Sequence, residues 1–456
     1  MQRRLLLKFL VLAAVGLVLA IPLAMIERTI TERVTYKNSA IQAIAAASAG
    51  AQLLVGPVLS VPFQEEYDEE EASKQESDKP RRWVRRRRES SVTLLPKRLS
   101  LNGSLQTERR AYGIYSVPVY GLHAVIAGVF DAAGDTDLSP RGRNSTITWG
   151  HPSLVIGVTD VRGLATEPRL QAGSETLTAV RGTSGTSLRS GFHGQLQQTG
   201  LPSTETPFEI QIDLIGTEAL SVVPLGGMTT AQLRGDWADP NFGGSFLPRQ
   251  RKVDRSGFEG NWAISGLASG VQREDLSAGA TTAVGSLPCF TIKLIDPIDV
   301  YHLAVRAVKY GLLFIVAIFA AFFAYEVIAT LPIHPVQYVL VGLAQAMFFL
   351  LLLSLSEHIS FAFAYLGAAT GSVLLIVAYL AAVLRGTGRA LWAGGALALL
   401  YAALFGVLES EQNALLLGSL LLFALLAALM LGTRRVDWYR VGAPEKASDH
   451  LSRSRT

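Results

Sequence analysis

Ser356-Glu357-His358 lies at the centre of a 49-residue apolar run, Val336 to Leu384. A carboxylate beside an imidazole can pass protons or hold a metal ion. The same triplet can equally end one helix and cap the next through backbone hydrogen bonds. Glu326 is a second ionisable group in apolar surroundings, and an intramembrane carboxylate is a site candidate because burying it is costly. It stands roughly 8 Å from its helix end at 1.5 Å per residue, so it is equally suited to reach the interface and cap the turn Pro332-Ile333-His334-Pro335. His334 in that turn completes the set of candidate polar residues. Glu326 and His358 are expected at opposite faces of a membrane, where they cannot share one compact site.

A different chemistry is suggested before these runs. Trp237, Phe242, Phe246 and Trp262 stand among Gly and Pro residues, a composition that suits either a sugar- or peptide-binding platform or the aromatic plug of a β core. Asp160-Val161-Arg162-Gly163 reads as a charged pair fixing a turn. Gly-x-Ser-x-Gly and Ser-x-x-Lys are both absent, which argues against serine acyl transfer. His123, His151 and His193 are far apart and lack metal-ligand spacing, so neither a zinc site nor any other cofactor is expected. No Gly-Lys pair offers a phosphate loop.

The elements that hold these residues are set by hydropathy. Five long apolar runs between Tyr310 and Gly432, and another from Leu5 to Ile26, each approach the ~20 residues a helix needs to cross a bilayer. The first is either an uncleaved anchor, the preferred reading, or a signal peptide cut near Val18-Leu19-Ala20. Arg3 and Arg4, Arg385 and Arg389, and the tail with Arg434 and Arg435 agree on an N-in, C-in topology. About 280 residues, Glu27 to Val305, then fall outside. The expected division is an anchor (1–26), a periplasmic or interfacial helix (27–55), a periplasmic β-rich domain (56–305), a five-helix bundle (306–432) and a cytoplasmic tail (433–456). Runs such as Tyr112–Val119, Leu154–Val158 and Phe208–Ile215 lie between turn residues and predict an antiparallel sandwich.

The acidic run Glu65–Glu71 and the basic run Arg81–Arg88, with Ser, Lys, Asp and Pro between, read as a disordered or hairpin-tip loop. Its arginines either meet anionic headgroups or polymers, or are neutralised by the acidic half. The net charge of +4 over 456 residues is too small and too dispersed to indicate nucleic acid. The single cysteine, Cys289, has no partner within the chain, so the exported domain must be held by its core.

Taken together, the chain resembles the CreD family of bacterial inner-membrane proteins. The resemblance rests on Gly56-Pro57-Val58-Leu59, Asp160-Val161-Arg162-Gly163, Pro240 through Phe246-Leu247-Pro248, Tyr325-Glu326, His334 through Leu343, Leu351 through His358, Leu415-Leu416-Leu417-Gly418 and Asp437-Trp438-Tyr439. It departs in the Arg-rich segment and in Tyr325, where Phe is expected. The resemblance implies an anchored exported domain before a membrane bundle, a link to envelope stress and colicin tolerance, and no assigned catalytic activity.

The expected function is therefore non-enzymatic support of the cell envelope, the β domain binding an envelope component or a protein partner. The alternative is a transporter or lipid-handling protein that uses Glu326, Glu357 and His358. Topology underlies both. Reporter fusions near Gly103 and Asn413 should give periplasmic signals, and fusions near Gly386 and Ala443 cytoplasmic ones; a periplasmic signal at Gly386 would invert the bundle.

Overall fold

The computed structural model describes residues 2–70, 83–133, 142–295, 300–329, 333–383, 386–410 and 413–434. The chain forms two compact units, one of residues 1–36 with 298–456 and the other of residues 37–297. A single helix, α1 (Gln2–Ala47), contributes to both. The helix expected over 27–55 thus ends at Ala47, and the first strand begins at Gln52. The chain turns at Ala49-Gly50, whose carbonyls accept from Thr217 Oγ1 and Thr217 N.

The second unit contains β1 (Gln52–Glu70), β2 (Trp83–Leu94), β3 (Arg98–Tyr112), β4 (Tyr115–Phe130), β5 (Arg143–Trp149), β6 (Ser153–Gly157), β7 (Arg169–Ala172), β8 (Glu175–Leu177), β9 (Val180–Arg181), β10 (Gly191–Gln195), β11 (Thr206–Thr217), β12 (Ala219–Val222), β13 (Met228–Gly235), β14 (Pro240–Gly244), β15 (Gln250–Asp254), β16 (Gly257–Ser265) and β17 (Phe290–Leu294). Two one-turn helices, α2 (Gly266–Ser269) and α3 (Arg273–Leu276), follow β16. One sheet runs β14-β17-β12-β1-β6-β10-β9, with β2 and β5 also pairing β1. The other runs β15-β16-β13-β3-β4-β11-β7-β8.

Both sheets are mixed, which corrects the antiparallel expectation. β1 lies parallel to β12, and β3 parallel to β13. Parallel neighbours need long connections, and here the chain returns to its early strands after more than a hundred residues, a relation that no local pattern encodes. The stretch Tyr112–Val119 is not one strand either, because the chain turns at Gly113 and Ile114 between β3 and β4. Alternation does hold in β11, where Phe208, Ile210, Ile212 and Leu214 are buried. Together with Leu122 and Ile126 of β4, Val155 of β6 and Leu233 of β13 they form one core.

The oppositely charged segment is strand rather than loop as far as Glu70 and from Trp83 onward. β1 and β2 pair in antiparallel register, Glu65 facing Arg88 and Asp68 facing Arg85. Arg85 reaches Glu66 and Asp68 at 3.4 Å each, and Arg86 reaches Glu69 at 3.3 Å. Glu65 is buried, accepts from Ser145 Oγ at 2.8 Å and lies 3.9 Å from Arg88. The two halves neutralise one another across the ladder, where opposite charges stabilise pairing. Residues 71–82 lie outside the described residues.

Asp160 and Arg162 fix the place where α1 meets the sheets. Asp160 caps the short 3-10 turn Val161–Gly163, accepting from Arg162 N at 3.0 Å, and its carboxylate takes Arg162 Nη2 at 2.6 Å. Arg162 Nη1 donates to Ala46 O at 2.7 Å, placing a cation on the last turn of α1, where free carbonyls favour positive charge. Gln52 donates to the carbonyls of Asp160 and Ile215 at 3.1 and 3.2 Å. A Cβ on Gly163 would collide with Ile215 O and Gln52 Nε2.

The Arg162 guanidinium holds the Asp160 carboxyl below the usual carboxylate range, against a smaller opposing effect of burial. A carboxyl of lowered pKa stabilises the fold fully above its unfolded value, ~3.9, and the contribution is lost as pH falls through the folded value. Asp160→Asn keeps a capping oxygen but removes the charge paired with the largely exposed Arg162, so it should cost about 0.5 kcal/mol at pH 7, and the difference from the parent should shrink toward pH 3. Tryptophan-fluorescence melts of both proteins across that range provide the check.

Candidate functional site

The first unit is helical: α1, α4 (Val300–Lys309), α5 (Gly311–Ala329), α6 (Pro335–Ser356), α7 (Phe361–Val383), α8 (Thr387–Glu409) and α9 (Ala414–Thr433). Among the described residues five helices are long and apolar enough to cross a membrane, and the apolar segment Leu415–Leu431 of α9 is shorter. The six expected crossings therefore correspond to five full-length candidates and one shorter helix. The second candidate, Val300–Phe323, comprises α4 and the first part of α5.

α6 ends at Ser356 and α7 begins at Phe361, so the turn between them is as tight as the apolar length requires. Ser356 Oγ donates back to Leu353 O at 2.9 Å, and His358 is exposed, its backbone N bonding Leu355 O at 3.0 Å. Glu357 turns inward, its side chain 9% exposed, with Arg33 Nε of α1 at 3.4 Å. Tyr301 of α4 donates its hydroxyl to Glu357 at 3.3 Å. Within the triplet, the Glu357 carboxylate is thus engaged by Arg33 and Tyr301.

At the other end of α1, Lys8 forms an ion pair with Glu326 of α5. Tyr338 of α6 donates to Glu326 Oε2 at 3.1 Å, and Ile333 N donates to Oε1 at 3.2 Å. Glu326 thus caps the turn and binds a cation at once. His334 is the N-cap of α6, accepting from Val336 N at 3.3 Å, while His334 N donates to Gln337 Oε1 at 3.3 Å. This box supplies partners for backbone N–H groups that a helix start leaves free.

The two clusters share one design: a cation from α1, a carboxylate and a tyrosine hydroxyl. Lys8 and Arg33 are 25 residues apart, roughly 37 Å along a helix at 1.5 Å per residue. That exceeds the ~30 Å hydrocarbon thickness and falls short of the ~40–45 Å that includes headgroups. Between them, Leu19 and Leu23 are buried. A Cβ on Gly342 would collide with Leu19, and one on Gly311 would lie 2.9 Å from Leu23 Cδ2. Small residues admit such close approach between membrane helices. Lys8 was visible as a break in the first apolar run; Arg33, Tyr301 and Tyr338 carried no local signal, because only their meeting with a carboxylate distinguishes them.

The remaining bundle packs through rings. Tyr401 lies 4.4 Å from Phe348 between ring centroids, and Tyr365 donates to Tyr401 O at 2.7 Å. Arg306 donates to Val407 O at 3.1 Å near the end of α8.

In the β unit Trp237 and Trp262 are buried in the core, and Phe242 and Phe246 pack against it. Trp262 stacks on Phe290 at 4.7 Å and donates to Phe246 O at 3.2 Å, while Phe242 meets Trp262 and Phe258 edge-on at 5.8 Å each. Trp237 is buried, donates to Ile295 O at 3.1 Å, and has the Arg109 guanidinium 5.1 Å from its ring. The rings serve as plugs because their apolar area and their N–H groups are both satisfied inside. The domain histidines stay apart: His123 Nδ1 lies 2.6 Å from Asp213, His151 bonds Gln198 O and His193 bonds Gly182 O. His123 and Thr166 together lower the Asp213 carboxyl. No group of three potential metal ligands occurs among the described residues.

These features define a multi-pass helical membrane protein with a large mixed-sheet domain. The family model described as Inner membrane protein CreD matches residues 4–439. The Inner membrane protein CreD of Escherichia coli K12 is 35% identical over 437 residues, covering 96% of this chain and 94% of the relative. The chain belongs to the CreD family, whose members are inner membrane proteins. Among solved structures, an M1 zinc metallopeptidase from Deinococcus radiodurans aligns with 44% of this chain and 42% of its own at 7% identity and TM-score 0.21. A putative nutrient binding protein from Legionella pneumophila aligns with 48% of this chain and 74% of its own at 7% identity and TM-score 0.24. Likenesses this slight carry no argument.

Removing one member of a part-buried ion pair leaves the other unpaired, a cost of about 3–5 kcal/mol, whereas replacing both is nearly neutral. Glu326→Gln and Lys8→Met should each lower the melting temperature of the full chain in detergent, and the double variant should recover most of the loss. The same pattern with smaller losses is expected for Glu357→Gln with Arg33→Met, because Arg33 is 42% exposed and solvent screens it. Additive losses in these double-mutant cycles would show the pairs to be uncoupled.

Proposed function

We propose that this chain is a non-enzymatic inner-membrane protein that supports the integrity of the cell envelope. In this proposal it has N-in, C-in topology, an uncleaved α1 and a periplasmic β domain that binds an envelope component or protein partner. The observation that carries the reading is the occupancy of both membrane carboxylates by α1. Glu326 and Glu357 each already hold a cation and a tyrosine hydroxyl, so they serve as helix fixtures and not as open proton or headgroup sites. Two cavities in the bundle, of about 570 and 650 Å³, are lined by neither carboxylate and not by His358. An uncleaved α1 is further favoured by the burial of Leu19 against Gly342, at the point where a signal peptide would be cut.

A binding role for the β domain is supported by its size and by the absence of hydrolase motifs, with family membership behind both. The test is a ligand screen of the full-length protein against muropeptides, lipid headgroups and periplasmic extract. Saturable binding without turnover is expected. Turnover of a wall substrate, abolished by one point substitution in the domain, would overturn the non-enzymatic reading. In cells, the Lys8→Met, Glu326→Gln double variant should preserve envelope phenotypes at unchanged protein level, because it removes a fixture as a unit; a transport role for Glu326 predicts their loss.

A further inference from the structure

The larger bundle cavity, about 650 Å³, is bordered by α5, α6, α7, α8 and α9. That volume falls within the ~300–1,000 Å³ range of small-molecule sites. Its wall is aliphatic and aromatic except at one end, which both Gln337 and Arg389 line. This end is where α6 begins, α7 stops and α8 begins, since Gln337, Val383 and Arg389 all line it. From Arg389 to Ala403 the cavity follows α8 for 14 residues, roughly 21 Å at 1.5 Å per residue. One leaflet contributes ~15 Å of hydrocarbon to a ~30 Å core, so the cavity accommodates chains from a single leaflet.

The polar end offers donors. Gln337 Oε1 is engaged by His334 N, which leaves its amide N–H groups for a ligand. Arg389 is exposed, and among the described residues no carboxylate pairs with it. A guanidinium with an amide N–H beside it matches a phosphate, which only accepts. Trp392, 78% exposed and one helical turn from Arg389, is the residue type that settles at the headgroup level of a bilayer. Basic pockets between transmembrane helices are a recurring form of anionic lipid recognition. The smaller cavity, among Phe9, Gly16, Leu312, Phe323 and Leu429, has no polar group in its wall and lacks this chemistry.

We propose that the α5–α9 groove is a binding site for an anionic phospholipid of the leaflet at which α6 and α8 begin, its acyl chains along Ala396 and Ala403 and its phosphate on Arg389 and Gln337. In the N-in, C-in topology this is the cytoplasmic leaflet. The site is separate from the periplasmic binding proposed above; it adjoins the Lys8–Glu326 pair through Ile333 but includes neither member of it.

The test uses full-length protein in nanodiscs of mixed phosphatidylglycerol and phosphatidylethanolamine, with bound lipid read by native mass spectrometry after release. The parent should retain phosphatidylglycerol in preference. Arg389→Gln should weaken that preference about fivefold, the effect of one basic residue near a headgroup, and Arg389→Lys should keep most of it. Ala396→Phe, which fills the groove, should expel bound lipid of either kind while the melting temperature stays near that of the parent. Equal retention of both lipids by parent and Arg389→Gln would overturn the proposal. So would disulfide-linked dimers of Ala396→Cys formed through the groove, which would make a second copy its occupant.

Discussion

A charge at the edge of a bilayer is costly unless the protein partners it. α1 carries Lys8 and Arg33 toward the two ends of its crossing, and the bundle answers with Glu326 and Glu357. Much of the surrounding arrangement follows from these pairings. Glu326 is held where α5 gives way to the turn before α6, with Ile333 N and Tyr338 completing its shell. Glu357 is turned inward by the tight link between α6 and α7, where Tyr301 of α4 reaches it. Leu19 and Leu23 then have only to fit the space that Gly342 and Gly311 leave open.

The two units are stabilised by different physics. In the β unit, water drives apolar side chains into one core, and residues from both sheets fill it, among them Trp262, Phe290 and Leu233. In the helical unit lipid is as apolar as leucine, so close packing and polar contacts must supply the cohesion. Gly394, where a Cβ would collide with Val377, and the Ser372 to Tyr401 hydrogen bond of 3.2 Å are examples. α1 takes part in both, with Ile44 packed on Val117 and Val119 of β4 in the β unit and Lys8 and Arg33 paired in the helical one.

Several residues that look chemical in sequence have structural partners in the fold. His334 is a helix cap because Pro335 starts α6 and leaves backbone N–H groups to be satisfied. Asp160 and Arg162 form a charged pair, as their spacing suggests, but the pair's importance lies in the carbonyl of Ala46 that Arg162 also meets. The acidic and basic runs resemble a solvated loop one residue at a time, yet in register they form a ladder. Trp237 and Trp262 resemble a platform until their N–H groups are found to have internal carbonyl partners.

The sequence by itself determined the class of the protein, the helical crossings, the tight turn at Glu357, the β-rich character of the large domain and the family, since hydropathy, turn residues and motif blocks are local properties. It also exposed Glu326 and Glu357 as residues requiring an explanation. Only the tertiary structure decided what satisfies them, because Lys8 and Glu326 are 318 positions apart and no periodicity links such residues. The same holds for the parallel pairing of β1 with β12 and for the groove between Gln337 and Arg389. Each depends on which distant segments share space, a matter settled by burial and charge pairing over the whole chain.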